Sequence, residues 1–237
     1  MHVTPDNNVA PGIWLGHVAT LDALVRRAAE RAVLPTHELA TAARYRTPQS
    51  ALQFLAGRLL ARQALSAVSG CRAGALHFEP DAHGKPTAWL DGAPLPWHFN
   101  LSHSHGLVAC GVAAQPIGID LEPHRRALAH HAIAASYFSV PEADWIAAAP
   151  ARGLRRFTAL WTLKEAFLKA TGTGLSAPLN EVALSDFRPG HCAASSPATT
   201  PERWHCRIAS LPQGFWLATC QPQAFARPTV RWVGNQG

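Results

Sequence analysis

Two stretches of the chain echo each other at a nearly constant offset, and this echo constrains the fold more than any other feature of the sequence. Trp97-His98 opens an apolar run that leads into Gly106-Leu107-Val108-Ala109-Cys110. Trp204-His205 opens another that leads into Gly214-Phe215-Trp216-Leu217-Ala218-Thr219-Cys220, so from 97 to 204 the offset is 107 residues. Aligning the helical segments around Arg58 and Lys164 gives 106, nearly the same offset from a different element. Self-similarity of this kind predicts a duplicated helices-then-hairpin unit. The expected fold is therefore α+β with two similar subdomains, residues 1–116 and 117–237, and a ligand site in the cleft between them. The chain has 237 residues, 48% hydrophobic and 15% charged, which is enough apolar material for such a core and excludes disorder.

Local patterns fill in the elements. Helical spacing is expected over Leu21–Leu34, Pro48–Val68, Ala127–Phe138, Glu142–Ala149 and, most clearly, Arg155–Ala170, which Thr171-Gly172-Thr173-Gly174 closes. Short apolar runs bounded by turn residues are expected strands at Ala75–Phe78, Trp97–Leu101, Leu107–Ala113, Ile117–Leu121, Glu181–Leu184, Trp204–Ala209 and Gly214–Cys220. Ser185–Glu202 reads as a Pro/Ser/Ala/Thr-rich loop, and the Pro-containing tail after Cys220 carries no assignment.

Lys and Arg number 21 against 15 Asp and Glu, a net charge of +6 with neutral His, which suits phosphorylated cofactors, acidic proteins or nucleic acid. The excess is spread over both halves, with no basic tail and no basic-aromatic stripe, so nucleic acid is not an expected partner. The five cysteines are widely spaced and form no CxxC pair, which predicts reduced core thiols. No basic n-region precedes an apolar stretch at Met1-His2-Val3-Thr4-Pro5-Asp6, and no run approaches the ~18 apolar residues of a membrane span. A cytoplasmic protein with no membrane partner is the expectation.

Three segments carry chemistry. In Ile117-Gly118-Ile119-Asp120-Leu121-Glu122-Pro123 strand alternation sends Gly118, Asp120 and Glu122 to one face. Two carboxylates that close stay ionised beside a cation, and hard oxygen ligands favour Mg²⁺ completed by water and substrate phosphate. A solvated face with two unrelated acids is the plain alternative. In Trp161-Thr162-Leu163-Lys164-Glu165-Ala166-Phe167-Leu168-Lys169, Lys164 falls inside an apolar stripe, while Glu165 and Lys169 sit at its edge. A snorkelling lysine and a surface i,i+4 pair are the plain readings of these. Against them, the chain has 18 Arg and only three Lys, Lys85, Lys164 and Lys169, all within candidate segments. In Phe99-Asn100-Leu101-Ser102-His103-Ser104-His105-Gly106, a strand runs into a turn with hydroxyls, imidazoles and backbone N–H groups suited to phosphate. No G-x-S-x-G elbow marks a serine nucleophile, and His103, His105 and Cys110 find no fourth zinc ligand.

In this order Gly84-Lys85-Pro86, Phe99–Ser104, Ile117–Glu122, Tyr137-Phe138-Ser139, Trp161–Lys169 and Gly172-x-Gly174-Leu175-Ser176 closely resemble the Sfp-type 4′-phosphopantetheinyl transferases, over roughly residues 38–184. The resemblance implies a two-subdomain α+β fold with coenzyme A and Mg²⁺, or Mn²⁺, bound between the halves. It implies transfer of phosphopantetheine from coenzyme A to a serine of an apo acyl or peptidyl carrier protein, releasing adenosine 3′,5′-bisphosphate. By this resemblance Asp120, Glu122 and Glu165 bind the metal, Glu165 helps deprotonate the serine, and Lys169 stabilises the leaving oxygen. Lys164, Ser102 and His103 then hold phosphates, with Lys85 near the nucleotide. The family's basic residues after Glu38 are absent, since Leu39–Ala43 are neutral, and Arg44, Arg46 or Arg62 stand in for the 3′-phosphate. The helices from Ala127 to Ala149 are expected to dock an acidic carrier on a basic rim, and a monomer is expected. A non-catalytic coenzyme A or nucleotide-binding module is the alternative.

Overall fold

The computed structural model describes residues 9–81, 84–125, 129–173, 178–199 and 203–234. His83, Ala127, Gly174, Leu175 and Ser176, which the sequence reading used, lie outside the described residues. The contacts divide the chain into two units, one running to Gln115 and taking in the chain from Pro228, the other spanning Pro116–Arg227.

The first unit contains β1 (Gly12–His17), α1 (Val18–Glu30), α2 (Thr36–Ala43), α3 (Pro48–Ser69), β2 (His77–Pro80), β3 (Pro86–Leu90), β4 (Ala93–Pro94), β5 (His98–Ser104) and β6 (Leu107–Ala113). Its main sheet has the order β12-β1-β6-β5, where β12 is Thr229–Trp232. The central helix α3 is well bounded. Pro48 supplies a preset φ at its first turn, the Thr47 hydroxyl accepts from Ser50 N at 3.1 Å, and Gly70 ends it in the left-handed region at φ 72°. Leu59, Leu60, Ala64 and Leu65 on its buried face pack into one core with Trp14, Phe99, Val108 and Cys110.

The second unit contains β7 (Gly118–Pro123), α4 (His130–Tyr137), α5 (Val140–Ala147), α6 (Pro150–Thr171), β8 (Ala183–Arg188), β9 (His191–Ser195), β10 (Trp204–Ser210) and β11 (Phe215–Gln221). Its sheet is antiparallel throughout, in the order β7-β11-β10-β9-β8. α6 covers one face, with Leu163, Ala166, Phe167 and Ala170 in a core with Cys192, Cys206, Ala218 and Cys220.

The duplicated unit expected from the sequence is present in this topology. In each unit a 22-residue helix (α3, α6) is ended by a left-handed glycine, Gly70 or Gly172, and followed by the hairpin (β5-β6, β10-β11). A further strand pairs antiparallel with the hairpin's second strand, β1 with β6 and β7 with β11. These two strands share Gly-Ile-x-Leu, as Gly12-Ile13-Trp14-Leu15 and Gly118-Ile119-Asp120-Leu121, again offset by 106.

Some expectations change. α6 begins at Pro150, five residues before Arg155, because Pro is tolerated at a helix's first position. The expected 185–202 loop contains most of β8 and all of β9, whose buried Cys192, Ala193 and Ala194 are small residues with little strand propensity that packing holds in the sheet. β1 and α2 were not anticipated. The last strand, β12, pairs parallel with β1, Gly12 opposite Thr229, so by its pairing it joins the first unit, whereas the sequence reading assigned it to the second.

In the second unit α6 packs directly onto β7. A Cβ built on Gly118 would overlap the backbone at Ala166 O and Ala170 N and lie 2.8 Å from Ala170 Cα. Backbone atoms of a helix cannot step aside singly, so Gly118→Ala is expected to destabilise the protein by about 3 kcal/mol. Gly57→Ala, in α3 with only Leu101 Cδ1 at 3.8 Å from its Cβ position, is expected to be neutral or to stabilise by up to about 1 kcal/mol. Urea unfolding of both variants checks the contrast.

Candidate active site

Because glycine lets α6 lie against β7, the side chains that follow on the same strand face come up beside the helix. β7 and α6 run in opposite senses: Gly118 meets Ala166 and Ala170, and just past the end of β7 the His124 carbonyl accepts from Thr158 Oγ1 at 3.2 Å; between them Asp120 is reached by Lys169. The Lys169 ammonium donates to Asp120 Oδ1 at 2.6 Å, with Asp120 buried and 29% of the Lys169 side chain exposed. Glu165 lies one turn before Lys169 and is half-buried, and Glu122 lies two residues beyond Asp120 on the same strand face, also half-buried. Two acids from a strand, with an acid and an ammonium from a helix, thus border one strip of the α6–β7 contact.

Lys164 has a different fate. Its side chain is 0% exposed, and its three N–H donors go to Glu142 Oε2 (2.7 Å), Leu179 O (2.8 Å) and Val182 O (2.8 Å). The ammonium also lies 4.9 Å from the centroid of Phe138, which stacks on Phe157. Burial pulls its pKa below the ordinary lysine value, and Glu142 opposes that pull. With every donor engaged, Lys164 has none for a phosphate, which corrects the phosphate role that the resemblance implied for it. It also overturns the snorkelling reading. Glu142, which sequence reasoning did not single out, accepts from Ser139 N at 2.9 Å as well as from Lys164. The Ser139-x-x-Glu142 spacing of a capping box was the available signal.

In the first unit, Arg62 is corrected in the same way. Its side chain is 0% exposed, bonded to Glu38 (3.0 Å) and Leu76 O (3.4 Å), and its guanidinium lies 4.4 Å from the Phe78 centroid. It holds α2 to α3 and cannot reach a ligand. Arg44 and Arg46 are exposed between those helices. Ser102 is buried in β5, and the exposed His103 next to it has Nδ1 2.9 Å from Gln53 Nε2. Lys85 is half-buried just before β3, where burial lowers its pKa to about 8 against the opposing pull of Asp81. An ammonium so short of hydration gains from an anionic partner.

Among the described residues no group of three or more His, Cys, Asp and Glu is close enough together to hold a metal ion. The structure therefore does not gather Asp120, Glu122 and Glu165 into a preformed three-carboxylate site; a Mg²⁺ site using one or two of these carboxylates would take phosphate oxygens and waters as its remaining ligands. The hard oxygen donors of Asp120, Glu122 and Glu165 have the chemistry that such a site requires. No helix among the described residues is long and apolar enough to cross a membrane.

Residues 116–220 match the 4′-phosphopantetheinyl transferase superfamily, and residues 26–116 match the family described as 4′-phosphopantetheinyl transferase, N-terminal. The chain is 36% identical over 156 residues to the 4′-phosphopantetheinyl transferase HetI of Nostoc sp., covering 65% of each chain. It is 33% identical over 178 residues to a 4′-phosphopantetheinyl transferase of Bacillus subtilis, covering 75% of this chain and 77% of that one. It is 30% identical over 179 residues to 4′-phosphopantetheinyl transferase Sfp of Bacillus subtilis, with the same coverage. The chain belongs to the 4′-phosphopantetheinyl transferase family.

The two lysines of α6 give different expectations. Lys164→Met leaves Glu142 and two carbonyls without their donor and is expected to destabilise by about 3 kcal/mol. Lys169→Met leaves the buried Asp120 carboxylate without its ammonium but at an edge open to water, and is expected to destabilise by less, about 1 to 2 kcal/mol. Thermal and chemical denaturation of the two variants measures the difference.

Proposed function

We propose that the chain transfers the 4′-phosphopantetheine group of coenzyme A to a serine hydroxyl of an apo acyl or peptidyl carrier protein, with release of adenosine 3′,5′-bisphosphate. The observation that carries this reading is the strip on α6 and β7 where Asp120 and Lys169 pair, flanked by Glu122 and Glu165, in a chain of this family. Phosphoryl transfer asks the protein chiefly to position the pyrophosphate and neutralise the charge that develops on it.

In this reading Asp120, Glu122 and Glu165 would supply the one or two carboxylates that hold Mg²⁺, or Mn²⁺ in its place, and the metal would neutralise pyrophosphate oxygens. Glu165 takes the proton of the carrier serine, directly or through a water. The serine oxygen attacks the phosphorus that bears the pantetheine arm, and the bond from that phosphorus to the bridging oxygen breaks. Lys169, at the partly exposed edge of α6, meets the charge left on the departing bisphosphate. Its pairing with Asp120 keeps the ammonium extended toward β7 while no phosphate is present. Lys85, Ser102 and His103 supply coenzyme A contacts, and Arg44 or Arg46, both exposed, takes the 3′-phosphate. We assign the two subdomains, divided near residue 116, to one monomeric cytoplasmic enzyme.

Intact-mass spectrometry of a panel of apo carrier proteins incubated with the protein, coenzyme A and Mg²⁺ tests the reading. A gain of one phosphopantetheine, lost with EDTA, is expected. Glu165→Gln and Asp120→Ala should each lower that transfer by at least a hundredfold while remaining folded. Coenzyme A binding with no gain on any carrier would favour a non-catalytic binding module.

A further inference from the structure

We propose that Gln53 is a positioning residue for His103: it holds the imidazole in the tautomer with its proton on Nε2, so that His103 presents a fixed N–H donor to a phosphate of coenzyme A. The inference deepens the transferase reading and rests on the coenzyme A contact which that reading gives to His103. The two residues meet because α3 lies against β5. A Cβ built on Gly57 of α3 would come 3.8 Å from Leu101 Cδ1 of β5. Gln53 lies one helical turn before Gly57, and His103 lies two residues beyond Leu101 on the same face of the strand. Across this contact Gln53 Nε2 stands 2.9 Å from His103 Nδ1.

The chemistry of the pair follows from its donors. An amide nitrogen can only donate, so Gln53 donates and Nδ1 accepts, which leaves Nδ1 without a proton. A neutral imidazole whose Nδ1 is bare carries its one proton on Nε2, the nitrogen on the far side of the ring from α3. Phosphate oxygens are acceptors, so this tautomer suits them, whereas the other would set a lone pair against them. A carbonyl or a carboxylate in the place of the Gln53 amide nitrogen would select the opposite arrangement, because it would accept from a proton on Nδ1.

Both partners stand on fixed backbone. Leu52 and Leu55, on either side of Gln53 in α3, pack against the core of the first unit, and Arg58 lies over Phe54 with Cζ 5.2 Å from the ring centroid. His103 pairs with Val108 in the β5–β6 hairpin, one residue before the closing pair of Ser104 and Leu107. The turn itself is His105-Gly106, with φ of 45° and 78°, and two-residue turns with positive φ at both positions match the twist of the strands they join. An exposed imidazole such as His103 otherwise turns about its side-chain torsions and exchanges tautomers in water. The Gln53 amide removes both freedoms before a ligand arrives, which lowers the ordering cost of binding.

Long-range ¹H–¹⁵N NMR of the full chain labelled with ¹⁵N-histidine reads the tautomer of each ring, and loss of a signal in His103→Asn assigns it. At about pH 8, where an ordinary imidazole is neutral, the His103 proton is expected on Nε2, and Gln53→Glu is expected to place a proton on Nδ1. Calorimetry then measures coenzyme A affinity without need of turnover. Gln53→Leu is expected to weaken it about fivefold, with kcat for transfer within about twofold of wild type and the urea midpoint unmoved. In the His103→Asn background Gln53→Leu should add nothing, because the glutamine acts through the histidine. A wild-type ring protonated on Nδ1 alone would overturn the proposal, as would a Gln53→Leu effect that persists without His103. The expected tautomer and affinity change, with no transfer to any apo carrier, would uphold the positioning role and sink the transferase reading. Transfer by the wild type, with coenzyme A affinity untouched by Gln53→Leu, would leave the transferase reading standing and refute the positioning role.

Discussion

At Gly118 the backbone of α6 lies against β7 with no side chain between them, and the chemistry of the second unit depends on that contact. Had β7 carried any Cβ there, Ala166 and Ala170 would be pushed outward, and the ammonium three residues beyond Ala166 would lose its reach to Asp120. The contact also sets register. Gly118, Asp120 and Glu122 alternate toward the helix while Ile119 and Leu121, both buried, fill the other face of the strand. A small residue, two acids and a helix edge are thereby placed with few degrees of freedom, which is the preorganisation that phosphoryl transfer rewards.

Five positions of α6 separate an enclosed lysine from one at the helix edge. Lys164 turns inward, where Glu142 and two carbonyls replace its lost hydration; its charge is matched and its donors are saturated. Lys169 turns to the edge, where the Asp120 carboxylate accepts from it and part of it remains in water. Only the second has a partly exposed ammonium that can turn from its carboxylate to a phosphate. Arg62 repeats the structural role in the first unit, its guanidinium closed in by Glu38, Leu76 O and Phe78. Long basic side chains inside a helix's apolar stripe thus serve as internal ties in both halves of the chain.

The sequence made the strip legible because its signals are local. Alternation in β7 and the four-residue spacing of Glu165 and Lys169 need only two periodicities. The hairpin echo likewise revealed the duplication. What could not be read depends on distant partners: Lys164 looks the same in sequence whether it snorkels, binds phosphate or is buried, and only Glu142 on α5 with the carbonyls of Leu179 and Val182 decides. β1 was missed although Gly12-Ile13-Trp14-Leu15 repeats Gly118-Ile119-Asp120-Leu121, since the apolar run is only three residues long and its counterpart of Asp120 is Trp14. β9 was hidden by alanine, serine and cysteine, which occupy a strand only because the sheet and α6 enclose them.

The central claim is that Lys169 faces the substrate while Lys164 does not, and the scarcity of lysine makes this directly observable. Reductive ¹³C-methylation of the native protein, followed by NMR, reports on Lys85, Lys164, Lys169 and the N-terminus alone. The account predicts that Lys164 resists labelling and that the Lys169 resonance shifts when coenzyme A and Mg²⁺ are added, as its ammonium passes from Asp120 to phosphate. A Lys169 resonance that stays in place under saturating coenzyme A, or a Lys164 that labels as readily as Lys169, would contradict it.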